Sequence, residues 1–363
     1  MHSRPRSGLL RHLVLTLIAL LVVHSTLVAP GQAYAANANF SNQAIQAMTQ
    51  LEHDFYDAHA GLYRATGGQH EPYIALWPTS QVLAAAIAVA RSTHAGPDIA
   101  RVRRIIGSLH IFLSPQGGYH ARIIRSLRYT DDDNWIALDL LDAYDLLHDP
   151  AYIARAESIF AYLITAWDTK HGGGLLWADG SSDRPTVSTA PAITIAARLA
   201  VLTHKSVYRD WARRLYAWEN ANLGAPNGLF WDHVGMNGAI DKDIVSYNQG
   251  VMIDANLAYA KLTGSAAYLT EARHIAAAAA AALSGPRLNR GRYAAFDAIY
   301  YQALAHLNAA SPKSASLEQA RSFVRWFWPI ARQPRAPANR TEEDVLEQAG
   351  FVSTALVVAA TTS

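Results

Sequence analysis

Apolar residues recur at helical spacing over nearly the whole chain, and almost no run alternates in the manner of a β-strand. The pattern predicts about twelve helices. They span residues 41–58, 78–92, 97–113, 133–147, 150–166, 189–203, 206–221, 247–263, 266–283, 293–309, 315–331 and 345–361. We therefore expect an all-α protein.

Three of these helices begin with the same pattern, in which a tyrosine follows a tight break, an alanine comes four residues later and a larger apolar residue three beyond it. The tyrosines are Tyr152, Tyr208 and Tyr268. The repeating unit is a helical hairpin of about 50 to 60 residues. Such hairpins form either an open solenoid or a closed ring. Long connections rich in Gly, Trp and Asp, as at 168–188 and 224–246, alternate with short ones, which favours a closed (α/α)6 toroid with a site in its mouth.

Three consecutive aspartates, Asp131 to Asp133, lie between Tyr129 and Trp135, directly before a predicted helix. Adjacent carboxylates repel one another and aspartate is a poor helix former, so a purely structural role gives little reason for them. A helix N-terminus tolerates negative charge, and one of the three would serve as a helix cap. Glycoside hydrolysis needs two carboxylates about 5 to 9 Å apart beside a sugar-binding aromatic surface. The residues alone do not decide between a helix cap and a catalytic pair.

The long loops and the helix starts that follow them combine aromatic rings with side-chain amides. An aromatic face suits the apolar C–H face of a sugar, and Asn or Gln suits its hydroxyl groups. A single tryptophan is more often part of a core, but several such clusters at the same end of their helices favour a binding site. The predicted substrate-binding residues are Trp77, Gln81, Tyr129, Trp135, Trp177, Tyr247, Asn248 and Gln249.

The N-terminus has the layout of a secretory signal. Arg4, Arg6 and Arg11 precede an apolar run at 13–23, and the small-x-small sequence at 33–35 is typical of a cleavage site. An uncleaved membrane anchor is the alternative, but the run is short for a span. We predict a signal peptide over residues 1–35, a catalytic domain over 36–363, secretion, and no stable membrane span.

Composition excludes several functions. The chain has no cysteine, which rules out zinc–thiolate sites and a cysteine nucleophile. Its net charge of +2 comes from scattered residues, so we expect no nucleic-acid partner. The histidines show no metal-ligand spacing and read as ordinary loop or surface residues; those considered are His53, His120, His171 and His233. We therefore expect no metal and no cofactor, and a monomer.

Four segments carry a more specific signal when taken together. They are Tyr-Thr-Asp-Asp-Asp-Asn-Trp at 129–135, Trp-Pro-Thr-Ser-Gln at 77–81, Trp-Asp followed by three glycines at 167–174, and Tyr-Asn-Gln-Gly at 247–250. In sequence and order they resemble motifs of glycoside hydrolase family 76, the α-1,6-mannanases. The resemblance runs from about residue 41 to near the C-terminus.

The resemblance implies an (α/α)6 toroid that cleaves internal α-1,6-mannosidic bonds of mannan or manno-oligosaccharides with retention of configuration. Aligned on Trp135, the family motif makes Asp131 the nucleophile and Asp132 the acid/base. Aligned on Asn134, it shifts the pair to Asp132 and Asp133. The first alignment is preferred because it keeps the phase of the apolar positions that follow.

The same residues also fit functions other than hydrolysis of mannan. A mannan transglycosylase of the same family would use the same residues, and a non-catalytic glycan-binding protein would use the same aromatic surface. An Asp-rich diphosphate-binding enzyme would need a second acidic motif, which the sequence lacks. The segment Ser188-Thr189-Ala190 replaces a Ser-Asn-Gly expected in the family, which points to a change in a substrate subsite.

Overall fold

The computed structural model describes residues 30–65, 72–124, 126–283, 288 and 293–360. Within these ranges the chain forms twelve α-helices. They are α1 Pro30–Phe55, α2 Leu76–Thr93, α3 Gly96–Ser108, α4 Thr130–Leu147, α5 Pro150–Leu163, α6 Thr186–Thr203, α7 Ser206–Asn222, α8 Ser246–Thr263, α9 Ala266–Ala282, α10 Ala294–Ala310, α11 Glu318–Ala331 and α12 Glu342–Ala360. Each predicted helix is found, and the all-α class is confirmed.

Five strands of two residues each lie in the connections. They are β1 Tyr56–Asp57, β2 Leu62–Tyr63, β3 Arg184–Pro185, β4 His233–Val234 and β5 Ile240–Asp241. β1 pairs with β2, and the other three form an antiparallel sheet in the order β3-β4-β5. The second sheet joins the long loop before α6, which carries β3, to the long loop before α8, which carries β4 and β5, and it therefore fixes both loops at the mouth of the ring.

The even-numbered helices form a closed inner ring. Each of α2, α4, α6, α8 and α10 packs against the next even-numbered helix, and α12 packs against both α10 and α2. The odd-numbered helices lie outside: α3, α5, α7 and α9 each pack on the inner helix that precedes them, and α1 and α11 pack on α12. An open solenoid would leave α12 and α2 apart, so the contact between them confirms the predicted (α/α)6 toroid.

Short turns at one end of the ring explain why the long loops gather at the other. Four inner helices end in a residue with left-handed backbone whose N–H bonds to the carbonyl four residues back, and the next helix begins two residues later. These residues are His94, His148, His204 and Gly264, with φ between 51° and 71°. The inner helices consequently all begin at the opposite end, where the long connections lie.

The sequence repeat lies in three of the outer helices, α5, α7 and α9. Its alanines Ala156, Ala212 and Ala272 are fully buried. The apolar residues three positions later are also buried against the inner ring. A small residue lets an outer helix approach the inner one closely, which is why the pattern recurs from hairpin to hairpin.

Among the described helices, α6 alone has the length and apolar composition of a membrane span. Of its 18-residue window, 72% is buried inside the protein. Its place in the inner ring between α4 and α8 accounts for that composition.

Several helices begin earlier than predicted. α4 begins three residues early, at Thr130, and α6 and α12 likewise begin three residues early, at Thr186 and Glu342. These first turns are polar, so the apolar periodicity used for the prediction starts only after them. α1 begins at Pro30, before the predicted cleavage site at 33–35, and residues 1–29 of the predicted signal peptide lie outside the described residues.

The contact between α12 and α10 gives a prediction on stability. A Cβ at Gly350 of α12 would lie 2.4 Å from the backbone nitrogen of Ala295 in α10. Backbone cannot yield as a flexible side chain does, so we expect Gly350→Ala to lower the free energy of unfolding by about 1–3 kcal/mol or more. Urea denaturation measures the change.

The matched control is Gly107→Ala in the outer helix α3, where an added Cβ meets nothing within 4 Å. Replacing a helical glycine by alanine there should raise stability by about 0.5–1 kcal/mol. Equal denaturation midpoints for the two variants would contradict the close approach of α12 and α10.

Candidate active site

A cavity of about 710 Å³ lies in the mouth of the toroid, at the N-terminal ends of the inner helices. Seven of the ten predicted site residues line it: Trp77, Tyr129, Asp131, Asp132, Trp135, Trp177 and Tyr247. The other three, Gln81, Asn248 and Gln249, do not. Gln81 is buried and donates a hydrogen bond to the Ser80 hydroxyl at 3.3 Å.

The two amides of α8 hold loops in place instead of lining the cavity. The Gln249 side chain accepts a hydrogen bond from the Phe230 N–H and donates to the Phe230 and Val245 carbonyls, at 2.9 to 3.1 Å. Asn248 Nδ2 donates to Asp232 Oδ1 at 3.2 Å. Gln249 therefore satisfies buried backbone groups of the loop, and Asn248 holds the Asp232 carboxylate. Neither amide lines the cavity, and their contact with substrate stays a prediction.

The start of α4 is fixed by the loop opposite. The Thr130 hydroxyl donates to the Leu176 carbonyl at 2.5 Å, and the Thr130 N–H donates to the Trp177 carbonyl at 2.8 Å. The N-cap position is Tyr129, which makes no side-chain cap hydrogen bond. The aspartates therefore lie inside the first helical turn, and none of them occupies the cap position.

The three aspartates point in different directions from this turn. Asp131 and Asp132 line the cavity. Asp133 is fully buried away from it, and its Oδ2 accepts a hydrogen bond from the Tyr119 N–H at 3.3 Å. The cavity therefore receives one adjacent pair of carboxyl groups, Asp131 and Asp132, as the alignment on Trp135 predicts.

The two cavity carboxyls differ in proton affinity. Burial raises the pKa of Asp131 to about 6, while the Trp177 indole N–H and the backbone N–H groups of Asp131 and Asp132 act in the opposite direction. Burial also raises the pKa of Asp132 well above its usual value, and the charges of Asp131 and Asp133 raise it further, against the opposing effect of Arg122. Of the two carboxyl groups, Asp132 is therefore the one that burial and its neighbours' charges favour as the protonated acid.

Aromatic rings form two walls of the cavity. On one side the Phe296 ring lies 5.0 Å from Trp77 and 4.8 Å from Tyr247, between centroids, and Tyr293 packs against the same ring. On the other side Tyr129 and Trp177 pack at 5.1 Å. Tyr293 and Phe296 were not among the predicted site residues. They lie at the start of a helix, as most of the predicted aromatic residues do.

Asp232 and His233 also line the cavity and were not among the predicted site residues. Their side chains and that of Asp241 bring possible metal-ligand atoms within 4.8 Å of one another, a grouping that the sequence spacing did not reveal. His233 Nδ1 lies 3.1 Å from Asp232 Oδ2, and His233 pairs with Asp241 across β4 and β5. Hydrogen bonding and strand pairing account for this arrangement without a metal ion, and the absence of a metal stays a prediction.

The replaced Ser-Asn-Gly segment lies behind the cavity wall. Ser188 and Thr189 are fully buried; the Ser188 carbonyl accepts from Asn134 Nδ2 at 2.8 Å, and the Thr189 hydroxyl accepts from the Leu175 N–H at 3.1 Å. The segment therefore supports α4 and the glycine-rich loop. The expected change in a substrate subsite is not found at these side chains, because none of them lines the cavity.

The model of glycosyl hydrolase family 76 matches residues 40–317, well over half of the chain. The chain belongs to glycosyl hydrolase family 76. The resemblance inferred from the four motifs is thereby confirmed.

Curated relatives of this family 76 protein include two yeast proteins named mannan endo-1,6-α-mannosidase. The one from Candida glabrata is 33% identical over 129 residues, which cover 32% of this chain and 29% of the relative. The one from Saccharomyces cerevisiae is 28% identical over 192 residues, which cover 50% of this chain and 39% of the relative. The matches thus span less than half of the length of either relative.

Solved structures share the fold over most of the chain. A family 76 mannosidase of Bacteroides thetaiotaomicron VPI-5482 superposes with a TM-score of 0.77 at 20% identity, covering 88% of this chain and 98% of its own. An inactive α-1,6-mannanase variant of Salegentibacter sp. HEL1_6, with two adjacent aspartates replaced by asparagine and α-1,6-mannotriose bound, has a TM-score of 0.69 at 18% identity. It covers 89% of this chain and 99% of its own. Both likenesses support the (α/α)6 toroid.

Proposed function

We propose that this family 76 protein is a retaining endo-α-1,6-mannanase, which hydrolyses internal α-1,6-mannosidic bonds of mannan. The observation that carries the proposal is the adjacent pair Asp131 and Asp132, whose carboxyl groups line one cavity. We assign Asp131 as the carboxylate, and Asp132, whose pKa is raised further by the charges of its two neighbours, as the carboxylic acid. A retaining glycosidase needs one carboxyl group in each of these states.

In the first step the Asp131 carboxylate attacks the anomeric carbon and forms a covalent glycosyl-enzyme. As the bond to the leaving sugar breaks, Asp132 transfers its proton to the glycosidic oxygen. The Trp177 N–H and the backbone N–H groups at the start of α4 hold the Asp131 charge in position for the attack.

In the second step Asp132, now a carboxylate, takes a proton from water, which attacks the same anomeric carbon from the opposite side. Asp131 leaves as a carboxylate and the sugar keeps its original configuration. Both carboxyl groups return to their starting states, and the step needs no other reactant.

The walls of the cavity fit a mannan chain. Trp77 and Phe296 on one side, and Tyr129 and Trp177 on the other, offer ring faces to the C–H faces of successive sugars. The Asp232 carboxylate lines the same cavity and is a suitable acceptor for sugar hydroxyls. The names of the yeast relatives and the mannotriose bound to the Salegentibacter variant point to the same substrate.

Secretion is part of the proposal. It rests on the basic, apolar and small-residue segments of residues 1–35, with the catalytic domain from residue 36 onward. We also propose that the protein acts as a monomer, because the cavity is built from helices of a single chain.

The test is incubation with linear α-1,6-mannan, with the products followed by size separation and by proton NMR of the anomeric signals. We expect shorter oligosaccharides whose new reducing ends first appear as the α-anomer, and no products from a β-1,4-mannan. New reducing ends that first appear as the β-anomer would contradict the retaining mechanism. Lengthened products would indicate a transglycosylase, and binding without cleavage a glycan-binding protein.

A further inference from the structure

An arginine and a glutamate pair side by side on the cavity wall. Arg122 Nη1 and Nη2 lie 3.1 Å from the two Glu342 carboxylate oxygens, a two-point ion pair. Glu342 Oε1 also accepts a hydrogen bond from the Ala75 N–H at 2.8 Å. Glu342 begins α12, whereas Arg122 lies before α4 and Ala75 before α2. The glutamate therefore joins the last inner helix to the loops that precede the first two.

The Arg122–Glu342 ion pair lies in the same cavity as the proposed catalytic carboxyl groups. Arg122 and Glu342 line the same cavity as Asp132, and the positive charge of Arg122 acts to lower the pKa of Asp132. The backbone of Arg122 is itself held, because its N–H donates to the Ser126 hydroxyl at 3.0 Å. The guanidinium is thus close enough to influence Asp132, yet its charge is matched by Glu342.

We propose that Glu342 is a positioning residue, which holds and neutralises Arg122 so that Asp132 keeps its proton until the glycosidic bond breaks. The inference rests on the proposed role of Asp132 as the acid. An arginine without its carboxylate would stabilise the Asp132 anion and so remove the acid from the reaction at neutral pH. Arg122 is the one arginine among the described residues that line the cavity, so its removal would take away a positive charge that acts on Asp132.

Among the described residues, other ionisable groups act on Asp132 or line the same cavity, and they stay the same in all the variants compared below. They are Asp131 and Asp133 on its own helix, Glu343 on α12, Asp183, Asp232 and His233 from the loops around β3 and β4, and the hydroxyls of Tyr129, Tyr247 and Tyr293. Because only Arg122 and Glu342 change, the charge that is removed sets the direction in which the pKa of Asp132 moves.

The experiment compares the pH dependence of kcat/KM for Glu342→Gln, Arg122→Gln and the double variant. The basic limb of the profile, where kcat/KM falls as the pH rises, reports loss of the proton from the acid Asp132. Glu342→Gln leaves a positive charge unmatched, so the limb should move to lower pH by about one unit. Arg122→Gln removes the positive charge that lowers the pKa of Asp132 and leaves the Glu342 carboxylate in the cavity, so the limb should move to higher pH by a similar amount. The double variant should lie within about 0.3 unit of the wild type.

Glu318→Gln is the matched control, because Glu318 begins α11 as Glu342 begins α12 and pairs with Arg321 away from the cavity. It should leave the profile unchanged. Loss of a merely structural contact would lower activity at every pH and would not give shifts of opposite sign. Shifts of the same sign in the two single variants, or no shift, would overturn the inference.

A second measurement needs no turnover. Titration of 13C-labelled aspartate carboxyls by NMR reports the Asp132 proton directly, with Asp132→Asn used to assign the signal. If the wild type does not cleave mannan, the proposed function fails, while the titration still tests the effect of Glu342. If the wild type cleaves mannan and the Asp132 signal titrates alike in all variants, the inference about Glu342 alone is overturned.

Discussion

Asp131→Asn should abolish cleavage of every α-mannoside, with kcat/KM lower by about four orders of magnitude or more. The amide is nearly the same size as the carboxylate but cannot form the glycosyl-enzyme. A good leaving group does not help, because the missing group is the nucleophile. The measurement compares initial rates on α-1,6-mannan and on an activated aryl α-mannoside.

The loss should occur without a loss of the fold. Asp131 is half-buried at the start of α4, and desolvation there raises its pKa, so the asparagine variant should be at least as stable as the wild type near neutral pH. Urea denaturation and retained binding of a manno-oligosaccharide serve as the controls. Substantial activity of Asp131→Asn on the aryl mannoside would exclude Asp131 as the nucleophile.

Asp132→Asn should give the second large effect, with a pattern of its own. Cleavage of mannan should fall by about two to four orders of magnitude, because the leaving sugar is no longer protonated. An activated aryl mannoside should still form the glycosyl-enzyme, which then accumulates because no base activates water. A burst of aryl alcohol followed by a slow steady state is the expected time course.

Azide should restore turnover of the Asp132 variant, since it is already an anion and needs no base. Attack on the glycosyl-enzyme would yield the mannosyl azide with retained, α, configuration, which NMR identifies. A β-mannosyl azide, or no rescue at all, would contradict the role of Asp132 as acid/base.

Asp133→Asn is the matched control for both variants. Asp133 lies next in the chain, carries the same side chain and is buried away from the cavity. Burial raises its pKa well above the usual value, so a neutral amide resembles the group already present and can accept the Tyr119 hydrogen bond. Most activity should remain. An inactive Asp133 variant beside an active Asp131 variant would shift the catalytic pair by one residue.

The fold was accessible from the sequence because the hairpins repeat. The alanines four residues after Tyr152, Tyr208 and Tyr268 record the close packing of outer on inner helices, and such packing leaves a periodic trace. Helix starts were predicted less well. The helices that begin at Thr130 and Glu342 start with polar turns at the cavity. A prediction from the spacing of apolar residues begins where those residues begin, and it therefore leaves out such turns.

The site was accessible only in part, for a related reason. Sequence showed which residue types cluster at helix starts but not which of them turn toward the cavity, so Gln249 was predicted beside Tyr247 although its amide holds Phe230. The partnership of Arg122 with Glu342 spans 220 positions along the chain, and no local pattern indicates it. Such pairs form only when the ring closes. The sequence predicts that the ring closes, but it does not predict which side chains the closure brings together.

The contact of α12 with α2 and α10 also sets the order in which the protein can mature. The ribosome makes the first eleven helices before the one that completes the ring, and until then α2 and α10 expose the faces that α12 will cover. Contacts between distant parts of a chain form slowly, so ring closure is a natural late step in folding. Glu342 arrives with that last helix, and the cavity acquires its wall and its charge balance together. A nascent chain would therefore contain Asp131 and Asp132, the proposed catalytic pair, long before it could use them.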